Sequence, residues 1–215
     1  MLYEIMNSNI VILANGDFPR HPVPLKQLSG ADKIICCDGA AGALVNAGME
    51  PDFIVGDLDS LDYTVRERFI ERTIHIPEQE TNDLAKAFYY SLGLNPSKIT
   101  ILGATGKRED HTIGNISLLS NFAGKAGFPV EMTSDYGIFH PIFTTTTFKV
   151  KKGSRVSIFS LDCDLAMESA GLQYPLKGVV FDSWWKATLN IASSDSFTLS
   201  FPSGRVIVFI SHQEK

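Results

Sequence analysis

Between residues 9 and 102 the chain repeats one pattern: a short apolar run, a break at glycine or an acid, then a stretch with helical spacing. Residues 9–13 (NIVIL) form the first run and stop before Asn15-Gly16-Asp17. Residues 33–37 (KIICC) stop at Asp38-Gly39, residues 53–55 at Gly56-Asp57, and residues 98–102 (KITIL) at Gly103. Residues 73–76 make a further run. Runs this short, rich in Ile and Val and bounded by turn formers, read as strands buried on both faces. Between them, residues 40–47, 63–71, 82–92 and 111–126 space their apolar side chains as helices do. Strand and helix in alternation predict a parallel sheet with helices on both faces.

Beyond about residue 130 the pattern changes. The remainder is rich in Thr, Ser, Phe and Val and alternates apolar with polar positions, as in residues 147–151, 155–160, 196–201 and 205–210. Ser203-Gly204, between the last two, predicts a hairpin turn. The expected fold class is α/β. An N-terminal Rossmann-like parallel sheet, residues 1–135, is followed by a C-terminal all-β sandwich, residues 136–215.

In an open parallel sheet, ligands bind beyond the carboxyl ends of the strands. Those ends are where this chain places its acids: Asp17, Asp38, Asp57 with Asp59, Glu78 with Asp83, and Asp110. Carboxylates gathered in one place repel one another, and a cation relieves the repulsion. An Asp-x-Asp pair in extended geometry, Asp57-Leu58-Asp59, puts both carboxylates on one side. Mg²⁺ takes one or two carboxylates together with waters and phosphate oxygens, and Asp83 at a helix start can complete the set. Helix capping and turn formation are the plainer uses of the same residues.

The segment Gly103-Ala104-Thr105-Gly106-Lys107-Arg108 lies between a strand and a helix. Glycines there let backbone N–H groups approach a phosphate, and a tight turn would use them equally well. Arg108 can grip phosphate through two parallel hydrogen bonds. Lys86, a turn beyond Asp83, is either a second phosphate cation or a solvated surface lysine. His111 and Asn115 share a helix face, and His111 either bonds phosphate or is satisfied by Asp110.

A net charge of −5 argues against a nucleic-acid track, which needs clustered Lys and Arg. Cys36, Cys37 and Cys163 have no metal-ligand spacing, and so few cysteines fit a reducing cytoplasm. Cys36 and Cys37 read as core packing. Residues 1–9 lack the basic-then-apolar order of a leader, and no apolar run reaches the roughly 18–20 residues that cross a membrane. The expectation is a cytoplasmic protein without membrane or nucleic-acid partners.

Several segments in order resemble the thiamine pyrophosphokinase family. They are Cys37-Asp38-Gly39-Ala40, Pro51 through Ser60 (PDFIVGDLDS), Gln79 through Asp83 with Lys86, Gly103 through Asn115 (GATGKREDHTIGN) and Gly171 through Leu176 (GLQYPL). The resemblance implies transfer of diphosphate from ATP to thiamine, giving AMP and thiamine diphosphate. It implies a homodimer with active sites at the subunit interface and a β-sandwich that helps bind thiamine. Asp57, Asp59 and Asp83 are similar to the family's Mg²⁺ acids, with Asp38 beside them as a catalytic acid. Gln79, Asn82, Lys86, Gly103, Gly106, Arg108, Asp110 and His111 fall to the ATP and phosphate pocket. Asn190, Trp185 and Asn115 fall to thiamine. Asn82 stands where the family has Thr, and Leu189-Asn190 where it has Ser-Asn. Trp184 and Trp185 offer aromatic faces for a cationic ring, with one of them expected in the sandwich core. The residues themselves leave other readings open: a diphosphokinase for another heteroaromatic alcohol such as a pterin, a non-catalytic nucleotide or thiamine binder, or a metal-dependent phosphohydrolase.

Overall fold

The computed structural model describes residues 8–213, which divide into two compact units between Asp135 and Tyr136. The reading of residues 1–9 as lacking a leader falls almost wholly outside the described residues. Among the described residues no helix is long and apolar enough to cross a membrane.

The first unit contains strands β1 (Ser8–Leu13), β2 (Lys33–Cys37), β3 (Phe53–Gly56), β4 (Thr73–His75), β5 (Pro96–Leu102) and β6 (Val130–Thr133). Its helices are α1 (Pro22–Ser29), α2 (Ala40–Asn46), α3 (Tyr63–Arg68), α4 (Asp83–Leu92) and α5 (Glu109–Ala126). Every strand pair is parallel, in the order β4-β3-β2-β1-β5-β6. The order reverses between β1 and β5. That is the place where an open α/β sheet leaves a crevice for a ligand.

Alternation along the strands sorts the core into two layers. Val11, Leu13, Ile34, Cys36 and Ile54 pack with Leu28 of α1, Leu44 of α2 and Val65 of α3. Helix α4 lies against β1, β2 and β3, and its Phe88 stacks on Phe122 of α5 with ring centroids 4.1 Å apart. None of the buried residues of α4 belongs to the first layer, so the sheet is covered on both faces, as the alternating pattern predicted. Each fully buried Leu or Phe stabilises the layer by roughly 1.5–3 kcal/mol.

Helix ends follow local chemistry. The Asn82 side chain caps α4 by accepting from the Ala85 N–H at 3.0 Å, and Asp62 caps α3 through Thr64 N at 2.8 Å. Gly127, at φ +69°, closes α5 in the left-handed conformation. Helix α3 stops at Arg68, and a 3-10 turn over Ile70–Arg72 replaces the end of the helix expected to reach residue 71. Helix α1 was not anticipated. Its prolines, Pro22 and Pro24, sit in the first turn, where a missing N–H costs nothing.

The second unit contains β7 (Gly137–Ile142), β8 (Thr146–Lys149), β9 (Arg155–Ser160), β10 (Glu168–Ala170), β11 (Ala187–Ile191), β12 (Ser196–Ser200) and β13 (Val206–Ser211). One antiparallel sheet runs β11-β9-β13-β7 and the other β10-β12-β8. Val156, Ile158, Val206 and Val208 from the first sheet share a core with Phe197 and Leu199 from the second. The expected hairpin at Ser203-Gly204 is not formed. Strands β12 and β13 lie in different sheets, and that turn carries the chain from one layer to the other.

Candidate active site

Loops after β1 and β5 meet at the reversal of strand order. Ala14 N donates to Leu102 O at 2.8 Å, Gly16 N to Gly103 O at 2.6 Å, and Asp17 N to Thr105 O at 2.9 Å. The approach is too close for side chains. A Cβ on Gly16 would lie 2.3 Å from Gly103 O, and one on Gly106 would lie 2.1 Å from the Asp17 carboxylate. The glycines expected to cradle phosphate thus have a first task in joining two loops. Gly106 also lines the cavity, of about 410 Å³, that opens here; Gly103 does not.

Asp59, Ser60, Asn82, Asp83, Lys107, Arg108, His111 and Asn115 also line this cavity. At its acidic side Asp38, Asp57 and Asp59 each bring a carboxylate oxygen within 4.8 Å of the others. Asp38 is 1 % exposed. Its Oδ2 accepts from Ser60 N at 3.1 Å and Ser60 Oγ at 2.8 Å, while its buried Oδ1 has no hydrogen-bond partner. A buried carboxylate oxygen left unsatisfied is costly. The same carboxylate lies beside two more acids. A hard, oxygen-seeking cation such as Mg²⁺ fits that donor set.

The Asp57-Leu58-Asp59 segment is not extended, contrary to expectation. Leu58 takes φ +68°, turning its side chain into the core while the flanking aspartates meet at the site. Gly56 is fitted between neighbouring acids: an added Cβ would lie 2.9 Å from Asp38 Cβ and 3.1 Å from Asp83 Oδ1. Asp83 therefore flanks the cluster. Lys86 is 4 % exposed, so the solvated-surface alternative is wrong. Its Nζ sits 3.7 Å from Asp57 Oδ2 and 3.4 Å from Asp83 Oδ1, a fixed counter-charge beneath the acids.

Proton affinities follow the geometry. The Gln79 amide, donating to Asp57 Oδ2 at 2.9 Å, is the main influence holding Asp57 below the usual carboxylate range. The charge of Asp57 pushes Asp59 up, and burial pushes Asp83 up against the pull of Lys86. Burial raises both the Cys36 and Cys37 thiols, in keeping with core packing.

The remaining expected residues fall into place around this core. Arg108 is exposed and forms a two-point bond to Asp110, at 3.1 and 2.5 Å. His111 lines the cavity, and its backbone N–H, not its imidazole, donates to Asp110 at 2.8 Å. Asn115 ties loops together: its Nδ2 donates to Ala104 O at 2.9 Å and its Oδ1 accepts from Asn82 at 3.1 Å. Among the lining residues that the sequence reading does not single out are three polar ones, Asn15, Ser60 and Lys107. Asn15-Gly16 ends a strand on the same edge as the acids, which was the available signal.

In the second unit, Asn190 is buried and fully engaged. It accepts from Tyr174 N at 3.1 Å and Ile191 N at 2.9 Å and donates to Tyr174 O at 2.7 Å, fastening the 171–176 segment to β11. Leu189 beside it is 80 % exposed at φ +58°. Neither tryptophan is in the core, which corrects the expectation for one of them. Both occupy a 3-10 turn before β11, and Phe181, Phe197 and Phe201 fill the interior instead. Lys186 Nζ sits over the Trp185 ring, 5.2 Å from its centroid.

A parallel α/β unit with acids, cations and glycine loops around a cavity at its strand-order reversal, followed by an antiparallel β unit, defines a two-unit α/β–β class of protein. Comparison with known families narrows that class. Residues 25–131 match the catalytic domain of thiamin pyrophosphokinase, and residues 137–209 match its substrate-binding domain. The chain belongs to the thiamin pyrophosphokinase family.

It is 38 % identical over 87 residues to a thiamine pyrophosphokinase of Bacillus subtilis strain 168, covering 38 % of this chain and 40 % of that protein. It is 34 % identical over 113 residues to thiamine pyrophosphokinase 3 of Oryza sativa subsp. japonica, covering 41 % of this chain and 42 % of that protein. These alignments thus span about two fifths of the relatives' own length. The crystal structure of thiamine pyrophosphokinase from Bacillus subtilis shares the fold with a TM-score of 0.79 at 24 % identity, covering 96 % of this chain and all of that one (100 %). Thiamin pyrophosphokinase from Candida albicans does so with a TM-score of 0.75 at 17 % identity, over 97 % and 90 % of the two chains.

Proposed function

We propose that this chain transfers the diphosphoryl group of ATP to the hydroxyl of thiamine, giving thiamine diphosphate and AMP. Family membership supports the reaction. The observation that carries the site is the meeting of the Asp38, Asp57 and Asp59 carboxylates, the first of them buried with one oxygen lacking a partner.

The hydroxyl oxygen bonds to the β-phosphorus, and the bond from that phosphorus to the oxygen bridging the α-phosphate breaks. AMP leaves with the bridging oxygen, and the hydroxyl gives up its proton. The negative charge of the triphosphate repels an incoming nucleophile, so the work of the protein is positioning and charge neutralisation. Asp57, Asp59 and Asp38 would hold Mg²⁺, with Asp83 on the other flank of Gly56. Bound Mg²⁺ would supply the positive charge that offsets the phosphates. Gln79 orients Asp57, and Lys86 fixes Asp57 and Asp83 against each other. Arg108, the 103–108 loop and His111 serve the phosphates. Asp110 orients Arg108, and Asn82 with Asn115 holds the loop in register.

Residues 1–135 in this reading bind ATP and the metal, and residues 136–215 contribute to thiamine. Trp185 already carries an ammonium over its face, and a cationic thiazolium there would gain about 0.5–2 kcal/mol. Asn190 acts by shaping the Tyr174 segment. The family resemblance further supports a cytoplasmic homodimer with active sites at the subunit interface. Mass spectrometry of products after incubation with ATP, Mg²⁺ and thiamine tests the proposal. AMP and thiamine diphosphate are expected in equal amounts. Phosphate or diphosphate released without an acceptor would make the chain a hydrolase, and thiamine binding without AMP would make it a binder.

A further inference from the structure

Lys86, Lys107 and Arg108 bring positive charge to the site, and they are held in different ways. Lys86 is buried between Asp57 and Asp83. Arg108 is clamped to Asp110 through two hydrogen bonds. Lys107 lines the cavity, and among the described residues its ammonium donates only to neutral oxygens: Asn15 O at 3.0 Å and Asn15 Oδ1 at 3.1 Å. Transfer of Lys86 to a phosphate means leaving a carboxylate, and Arg108 can offer a phosphate only the N–H groups that Asp110 leaves free. Transfer of Lys107 exchanges neutral acceptors for charged ones, a change that strengthens its hydrogen bonds.

The backbone points the same way. Lys107 has φ +56°, directly after Gly106 at φ +82°. Glycine adopts such a conformation without penalty, whereas a residue with a Cβ does so against its preference. Strained positions of this kind cluster at ligand clamps and active sites. Here the strain sets a long, flexible cation on the cavity wall between the loops after β1 and β5.

We propose that Lys107 is the ammonium that takes up the phosphate chain of the nucleotide, moving to it from Asn15. The inference rests on the nucleotide-binding reading above and names a residue for it. The interaction belongs to the outer phosphates, so it strengthens as phosphates are added to the nucleoside.

Calorimetric titration of the full chain with ATP, ADP and AMP, in Mg²⁺ and without thiamine, tests it. In Lys107→Met, ATP affinity is expected to fall about tenfold or more, as for a lost charge-assisted hydrogen bond, with a smaller fall for ADP and little change for AMP. Lys107→Gly is expected to lose ATP affinity equally while its melting temperature stays level or rises, because the left-handed position is relieved. Lys107→Arg restores binding. Lys107→Gln, which can still donate to Asn15, does not.

Unchanged ATP affinity in both the Met and Gly variants would overturn the assignment. So would a loss equal for ATP, ADP and AMP, accompanied by a lower melting temperature and cured by Gln. That pattern belongs to a loop tie. If the wild-type chain forms no thiamine diphosphate while Lys107→Met still loses the phosphate-graded affinity, the proposed reaction fails and Lys107 stands. If the wild type forms thiamine diphosphate while Lys107→Met binds ATP unchanged, Lys107 fails and the reaction stands.

Discussion

Asp110 accepts two hydrogen bonds from the exposed Arg108 guanidinium, and that partner is the main reason its pKa falls from 3.8 to about 2. A depressed carboxylate contributes stability that is fully present above its unfolded value and is lost as pH falls through the folded one. For Asp110 that window runs from 3.8 down to about 2. In Arg108→Met the Asp110 carboxyl is expected to rise toward its ordinary value but stay below it, held by the His111 backbone N–H, and an NMR pH titration of its side chain checks this. Asp57 allows a larger effect. Asp57→Asn keeps the shape but removes one preorganised charge, and turnover is expected to drop by roughly 10²–10³. Near-normal turnover at saturating Mg²⁺ would remove Asp57 from the metal set. Of the cavity's lining, Asp59, Asn82, Asp83, Gly106, Arg108, His111 and Asn115 were legible as candidates, since they follow strands or start helices, and Asn15, Ser60 and Lys107 were not. The left-handed turn at Leu58 was not, because nothing in a leucine announces positive φ. Nor was the burial of Lys86, which depends on the distances to Asp57 and Asp83 rather than on its place in a helix.

Helix α4 brings Asp83 and Lys86 to the site, and its start is set by Asn82. Asn82→Ala removes the bond to Ala85 N and the bond to Asn115. A loss of about 1 kcal/mol is expected from the cap alone, measured by urea denaturation, with Asn82→Ser retaining much of it. In an Asn115→Ala background the same change should cost less, since one of its two partners is already gone. Elements with a strong apolar period, such as β1, β2 and α4, were legible. Helix α1 was hidden by prolines that are harmless in a first turn, and β7 by Pro141 within its run. The Ser203-Gly204 turn carried a correct local signal, but which sheet each flanking strand joins is a matter of packing. Phe197 and Leu199 find their partners across the core, not along the chain.

At the scale of the molecule, a net charge of −5 and a cluster of acids imply a chain that gains stability from a bound cation. Mg²⁺ at a hundred times its Kd is expected to raise unfolding free energy by about 2.7 kcal/mol if it binds the folded state alone. A melting-temperature series with Mg²⁺, against NaCl of equal ionic strength, measures it. Equal shifts in both salts would mean screening only. By itself the sequence determined the two kinds of layer, the placing of acids at strand ends and the family, because periodicity and turn residues act over a few neighbours. Tertiary structure alone decided that Asp38 joins Asp57 and Asp59, that the loops after β1 and β5 close on each other, and that Lys107 hangs on neutral oxygens. Those contacts join residues far apart in the chain, and only the order β4-β3-β2-β1-β5-β6 brings them within bonding distance.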